Sequence, residues 1–191
     1  AILPTMNEKI FSTGKLFELV HITQPDGRVF EVARRAPGVR VIIADASAQK
    51  VLLTKEFRRE LNQHDYRLPG GKVFDTLAEY ESFRKNGGDI LPVATAKAKA
   101  EAAEEAGMAI DNLTFYKKST LGATVEWDLY VFASSDWRKV QQALEDGEQV
   151  DDIAWYSFGE TKNMILRGEM QEERIALILL QWLEAQHAQR D

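Results

Sequence analysis

The 191-residue chain has no cysteine and only three histidines. Without cysteine, disulfide bonds, thiolate nucleophiles and cysteine-bound zinc are excluded, so any bound metal ion should be a hard one held by oxygen ligands. The chain also lacks an excess of basic residues: 24 Lys and Arg stand against 30 Asp and Glu, a net charge of −6. That balance argues against nucleic acid as a partner, since proteins that follow a phosphate backbone present a basic surface.

Long apolar runs are missing as well. The longest uninterrupted run, residues 175–180, is far shorter than the roughly 20 residues that a membrane-spanning helix requires. The first twenty residues or so do not show the basic start and apolar block of a signal peptide. We therefore expect a cytoplasmic protein that has no membrane partner.

The residues that are present are typical of a globular protein with 45% hydrophobic side chains. In the first third, two strand-like runs flank Gln24-Pro-Asp-Gly27, where proline and the Asp-Gly pair favour a hairpin turn. A break at Pro37 divides an N-terminal β region, residues 1–38, from a larger domain, residues 39–191. Two further short apolar runs, Val39–Ala44 and Lys50–Glu56, predict a second hairpin in a larger sheet.

Helix patterns alternate with strand patterns in the rest of the chain. Thr76 and Glu79 form a capping box, and the short helix that they begin should end at Asn86-Gly-Gly88. A second helix is predicted from about Val93 to Ala106, and a third from Glu172 to Ala185. The strands predicted in this region are Leu113–Lys117, Glu126–Ala133 and Ile153–Ser157.

The second helix carries an unfavourable arrangement of charge. Glu101, Glu104 and Glu105 lie on one face, where they repel one another, and they occupy the helix end that favours Lys or Arg. A bound divalent cation such as Mg²⁺ or Mn²⁺ would turn this repulsion into ligation. A solvated acidic helix is the alternative, because such pairs cost only ~0.2–0.5 kcal/mol each.

Four segments, in order, resemble motifs of the ADP-ribose pyrophosphatase branch of the Nudix hydrolase superfamily. Glu101-Ala-Ala-Glu-Glu-Ala-Gly-Met108 resembles the second half of the Nudix box, R-E-U-x-E-E-x-G-U, in which U is a bulky apolar residue. The other three are a strand ending at Arg58, the turn Leu68-Pro-Gly-Gly71, and the loop from Gly122 to Glu126. The resemblance covers about residues 39–183.

The chain departs from the box at two positions. The first glutamate is missing, because an insertion around residues 73–91 leaves Leu77 or Pro92 at its place, depending on the direction of counting. The box arginine is replaced by Ala100. In the family these two residues brace the loop against the helix, and the candidate substitutes are Lys97, Glu79 and Asp89.

The resemblance implies a Nudix-type α/β/α sandwich with a mixed sheet, preceded by an antiparallel β hairpin. It implies that Glu101, Glu105 and the Gly70 carbonyl hold Mg²⁺ or Mn²⁺ with help from Glu104, and that Gly71 lies at the substrate. Glu126, in the loop that supplies the general base in this branch, is the expected base, and an ordinary strand-start glutamate is the alternative.

Arginines and tryptophans complete the candidate residues. Arg58 is the expected substrate contact, since a guanidinium can bind a pyrophosphate through two hydrogen bonds. Arg34 and Arg35 are interpreted as solvated strand charges, and the four tryptophans as core residues.

The expected activity is Mg²⁺-dependent hydrolysis of a nucleoside diphosphate sugar, with ADP-ribose cut to AMP and ribose 5-phosphate. GDP-mannose or another nucleotide sugar is the alternative substrate. A Nudix-like sensor that binds a nucleotide sugar without cleaving it is the alternative function, and the two departures from the box favour it. The same resemblance implies a homodimer built through the N-terminal β region.

Overall fold

The computed structural model describes residues 7–144 and 150–188 of the chain. Within these residues the strands are β1 Asn7–Thr13, β2 Glu18–Thr23, β3 Val29–Arg34, β4 Gly38–Asp45, β5 Lys50–Arg58, β6 Gln63–Arg67, β7 Met108–Ile110, β8 Thr114–Ser119, β9 Val125–Glu126, β10 Leu129–Ser134, β11 Trp137–Lys139 and β12 Asp152–Ser157. The helices are α1 Leu77–Lys85, α2 Ile90–Ala106, α3 Phe158–Leu166 and α4 Glu173–Ala188.

The central sheet has six strands in the order β12-β5-β4-β10-β8, with β6 paired to β5. Strands β4 and β10 run parallel, whereas the other paired strands of this sheet are antiparallel. The sheet is therefore mixed, as the sequence predicts. β7 and β11 form a separate two-stranded ribbon.

Strand β4 is apolar along almost its whole length because helices cover both faces of the sheet. Val39, Val41 and Ile43 point to one face, where they pack against α2 through small alanines such as Ala94, Ala98 and Ala102. Ile42 and Ala44 point to the other face, in one cluster with α3 and α4. The alanines of α2 let this helix approach the sheet closely, and its glutamates reach the turn at Gly70 and Gly71.

Several element boundaries differ from the sequence prediction. Helix α2 begins at Ile90, with Asp89 as its N-cap, because Pro92 lies in the first turn, where a missing backbone N–H costs little. The segment predicted as one strand, Glu126–Ala133, is split into β9 and β10, which belong to different sheets. The sequence analysis did not predict β6 or α3.

The N-terminal β region forms a four-stranded sheet in the order β1-β2-β3-β9. The last strand comes from the larger domain: β9 pairs parallel to β3, with Arg34 opposite Glu126. The interpretation of Arg34 as a solvated charge is wrong, because this residue is only 1% exposed. Its guanidinium donates to Glu126 at 2.8 Å, Glu8 at 2.9 Å and Glu18 at 3.3 Å.

Helix α1, the inserted helix, packs against this arginine. Thr76 caps it as predicted, accepting a hydrogen bond from the Glu79 amide at 3.2 Å. Glu81 lies 3.7 Å from Arg34, and Arg84 lies 3.6 Å from Glu8. The insertion is thereby tied to the N-terminal sheet, and we call Arg34 with Glu8, Glu18, Glu81 and Glu126 the Arg34 cluster.

The N-terminal sheet exposes large apolar side chains. Phe11 is 63% exposed, Val29 54% and Phe30 46%, and every residue of β1 is exposed. The predicted homodimer would cover such a surface, so light scattering at micromolar concentration should give twice the 21.6 kDa mass of the chain. A fully active monomer at that concentration would contradict this prediction.

None of the helices in the described ranges combines the length and the apolar character needed to cross a membrane.

Candidate active site

The turn at Gly70 and Gly71 touches helix α2. Gly70 has a φ of +149°, and a Cβ there would collide with the backbone of Val39. At Gly71, a Cβ would collide with the carboxylate of Glu101. Glycine at both positions lets the turn pass directly over the acidic end of α2, which explains the pair that the sequence places here.

Glu105 is fixed by the same turn. Its Oε2 accepts a hydrogen bond from the Gly70 amide at 2.7 Å. Burial, together with the charges of Glu101 and Glu56, raises the pKa of Glu105 to about 7, against the opposing effect of the Gly70 hydrogen bond. The Glu105 carboxylate is therefore poorly solvated and feels the negative charge of two others, and a bound cation would relieve this repulsion.

Two cationic side chains already contact the groups that are predicted to hold the metal ion, Glu101 and the Gly70 carbonyl. The Lys97 ammonium lies 3.0 Å from Oε1 of Glu101, one helical turn away. Arg40, which is buried, donates to the Gly70 carbonyl at 2.9 Å and to Glu172 at 3.1 Å. Lys97 was one of the candidate substitutes for the missing bracing, whereas the sequence analysis did not single out Arg40.

Glu101, Glu105 and the two glycines line a cavity of about 820 Å³. Its described lining contains seven cationic and five anionic side chains, so the cavity is net positive in a chain of net charge −6. The cationic residues are Arg35, Arg40, Arg58, Arg59, Arg67, Lys72 and Lys97; the anionic ones are Glu56, Glu60, Asp75, Glu101 and Glu105.

The cavity brings together most of the predicted site residues. Arg58 lines it, although its guanidinium is engaged by Glu56 at 3.3 Å and Glu60 at 2.7 Å. Glu104 and Glu126 are not among the described residues that line it. The Glu126 carboxylate instead accepts from Arg34, whereas its neighbour Trp127, directly after β9, lines the cavity.

Glu56 and Arg35 are cavity residues that the sequence analysis missed or misread. In the sequence Glu56 looks like a surface charge, because it follows the apolar part of β5. In the structure it lines the cavity and contacts Arg67 at 3.1 Å. The interpretation of Arg35 as a solvated charge is corrected as well: it is half-buried, lines the cavity and lies over the ring of Trp127 at 4.2 Å.

The donor set suits a hard divalent cation, since Glu101, Glu105 and the Gly70 carbonyl offer only oxygen atoms. Within residues 7–144 and 150–188, no three His, Asp or Glu side chains stand together as a preformed metal site. Because Lys97 and Arg40 contact two of the donors, metal binding requires these contacts to rearrange.

Comparisons with known proteins add evidence on the fold. No protein-family model matches the sequence, and no curated protein matches it. Among solved structures the chain is similar to one described as an ADP compounds hydrolase, with a TM-score of 0.65 and 20% sequence identity over 96% of this chain and 95% of the other. At that identity the likeness shows the fold alone. The chain has the Nudix-type α/β/α sandwich that its motifs predict, with an antiparallel N-terminal β region.

Proposed function

We propose that the protein hydrolyses the diphosphate bond of a nucleoside diphosphate sugar, with ADP-ribose, cut to AMP and ribose 5-phosphate, as the first expected substrate. The observation that carries the proposal is the contact of Glu101 and Glu105 with the Gly70–Gly71 turn at the wall of a net positive cavity. The solved structure described as an ADP compounds hydrolase shares this fold, which supports the same class of substrate.

The acidic and the cationic residues of the cavity have complementary roles. Mg²⁺ or Mn²⁺ held by Glu101, Glu105 and the Gly70 carbonyl, with Glu104 in support, would polarise the phosphate oxygens and lower the pKa of an attacking water. Arg58, the expected substrate contact, would bind negative charge of the diphosphate. The Gly70 amide holds Glu105 in place at 2.7 Å.

A general base is needed to take a proton from the attacking water. Glu126 is the base that the resemblance implies, while Glu56 is the carboxylate that lines the cavity next to Glu105. We expect Glu56→Gln to lower kcat by at least the ~10²-fold typical of a lost general base, and to do so more than Glu126→Gln. Steady-state kinetics of both variants decide between them, and a larger loss in Glu126→Gln would return the role to that residue.

The proposed activity is tested by the release of the nucleoside monophosphate from a panel of nucleotide sugars that includes ADP-ribose, which yields AMP, and GDP-mannose, which yields GMP. Each substrate is incubated with the wild-type protein in Mg²⁺ and, as a matched control, in EDTA. We expect AMP from ADP-ribose in Mg²⁺ and none in EDTA. No cleavage of any member in Mg²⁺ or Mn²⁺ would refute the proposed reaction.

A binding module is the second candidate function. The observation in its favour is the pairing of Lys97 with Glu101, which places an ammonium at a carboxylate that a catalytic metal would use. A sensor of this kind would bind ADP-ribose in calorimetry with the same affinity in Mg²⁺ and in EDTA, and would release no AMP. Affinity that depends on Mg²⁺, together with turnover, would exclude it.

A further inference from the structure

Two neighbouring arginines point to opposite sides at the end of β3, where this strand pairs parallel to β9. Arg34 and Glu126 face one side, in the Arg34 cluster, while Arg35 and Trp127 face the cavity. We propose that Arg35, lying over Trp127, is the residue that binds a phosphate group of the ligand in this cavity. The inference rests on the proposed function for the identity of the ligand, but the binding itself can be tested without catalysis.

The first argument is that the other buried or half-buried arginines of the cavity are already paired with carboxylates. Arg40 and Arg67 contact Glu172 at 3.1 and 3.8 Å, and Arg58 contacts two glutamates. Arg35 makes no ion pair with any carboxylate in the described ranges, and its guanidinium contacts the rings of Trp127 at 4.2 Å and Phe17 at 5.3 Å. Its hydrogen-bond donors thus remain available to an anion.

The second argument is the support of the guanidinium. Trp127 is held by Arg174, which lies 4.1 Å from its ring centroid and donates to its backbone carbonyl at 2.8 Å. The amide of Arg35 donates to the Glu126 carbonyl at 3.0 Å, so the backbones of both strands are fixed at this point. A planar guanidinium over a fixed indole ring is preorganised, which reduces the entropy lost when it binds a phosphate.

The third argument is electrostatic. Burial and the positive charges of Arg40 and Arg174 lower the pKa of Arg35, and Glu172 opposes that effect only in part. Three guanidiniums therefore repel one another around one glutamate. A phosphate beside Arg35 would relieve this repulsion, as a carboxylate does elsewhere in the cavity. Lys72 and Arg59 also line the cavity, but both are exposed, so water already solvates their charges.

The test is isothermal titration calorimetry with inorganic pyrophosphate, in Mg²⁺ buffer and in EDTA. We expect Arg35→Gln to weaken binding by about 10- to 100-fold in whichever buffer the wild type binds, as for a lost hydrogen-bonded charge. Arg35→Lys keeps the positive charge but loses the planar guanidinium with its paired donors, so its pyrophosphate affinity should lie between those of the wild type and Arg35→Gln. Arg28→Gln removes the same charge from an exposed turn, where the arginine pairs with Asp26, and should bind like the wild type.

Melting temperatures measured on the same samples separate binding from folding. If Arg35→Gln fails to fold, Arg35→Lys carries the comparison. Unchanged pyrophosphate affinity in a folded Arg35 variant would overturn the inference, and so would the absence of pyrophosphate binding to the wild type in both buffers. A failure of AMP release would contradict the proposed reaction while leaving this binding result intact.

Discussion

Replacing Glu105 by glutamine is expected to lower kcat by a hundredfold or more, a loss of at least ~2.7 kcal/mol of transition-state stabilisation. The change removes the charge of a carboxylate that the Gly70 amide holds at the cavity wall, while keeping its size. Glu101→Gln should act in the same direction, since its carboxylate contacts the same turn. The measurement is AMP release at saturating Mg²⁺ and substrate.

The Glu105→Gln protein should remain folded. Burial raises the pKa of Glu105 to about 7 in the folded protein, above that of an unfolded chain. A carboxyl group whose pKa is raised on folding costs stability as the pH rises through its pKa in the folded protein, because the buried group must then ionise. A glutamine does not ionise, so we expect it to be tolerated at pH 8. Glu173→Gln, on the exposed start of α4, is the matched control. Near wild-type turnover in both Glu101→Gln and Glu105→Gln would refute the mechanism.

Replacing Arg34 by methionine should lower the free energy of unfolding by about 3–5 kcal/mol, the cost of removing one partner from a buried ion pair. Glu18 is 3% exposed and would lose the Arg34 contact at 3.3 Å. Burial alone would lower the pKa of Arg34, but Glu126 and Glu8 outweigh it and raise that pKa above its usual value. The carboxylates therefore hold the arginine charged. Denaturant unfolding measures the loss.

Two further variants make this stability prediction specific. Arg28→Met removes an exposed arginine and should change stability by less than about 0.5 kcal/mol. The double change of Arg34→Met with Glu18→Gln should recover part of the loss, because the buried carboxylate is then neutral. A loss below ~1 kcal/mol in Arg34→Met would show that the cluster contributes little.

Local patterns in the sequence were sufficient to predict much of the fold. The apolar runs of β4 and β5 reflect a sheet covered on both faces, and the Thr76–Glu79 pair reflects a cap that forms within four residues. The glycine pair and the glutamates of α2 were predicted to meet, and the structure brings them into contact. Each of these features depends on residues close in sequence or on short motifs that follow one another in a known order.

Features that depend on distant contacts were not predicted. Arg34 and Arg35 lie at the end of a strand that looks solvated in the sequence, and a residue that helps to bury Arg34, Glu126 of β9, comes 92 positions later in the chain. Strand β9 has two residues, too few to show a periodic pattern. Glu56 is similar: nothing next to it in the sequence indicates that Arg67 will contact it or that its charge will act on Glu105. The sequence around a single residue at the junction of two sheets does not indicate that the residue will be buried there.

The Arg34 cluster also has a consequence for the order of folding. Its contacts with Glu18, Glu8 and Glu126 join residues 16, 26 and 92 positions apart, and Glu81 comes from the inserted helix. Closing these loops costs chain entropy, and the ion pairs stabilise the structure only after the loops are closed. The longest loop contains α1, α2 and β4 to β8. The cluster should therefore assemble after the central sheet, so that Arg34 contributes to the barrier against unfolding rather than to the rate of folding.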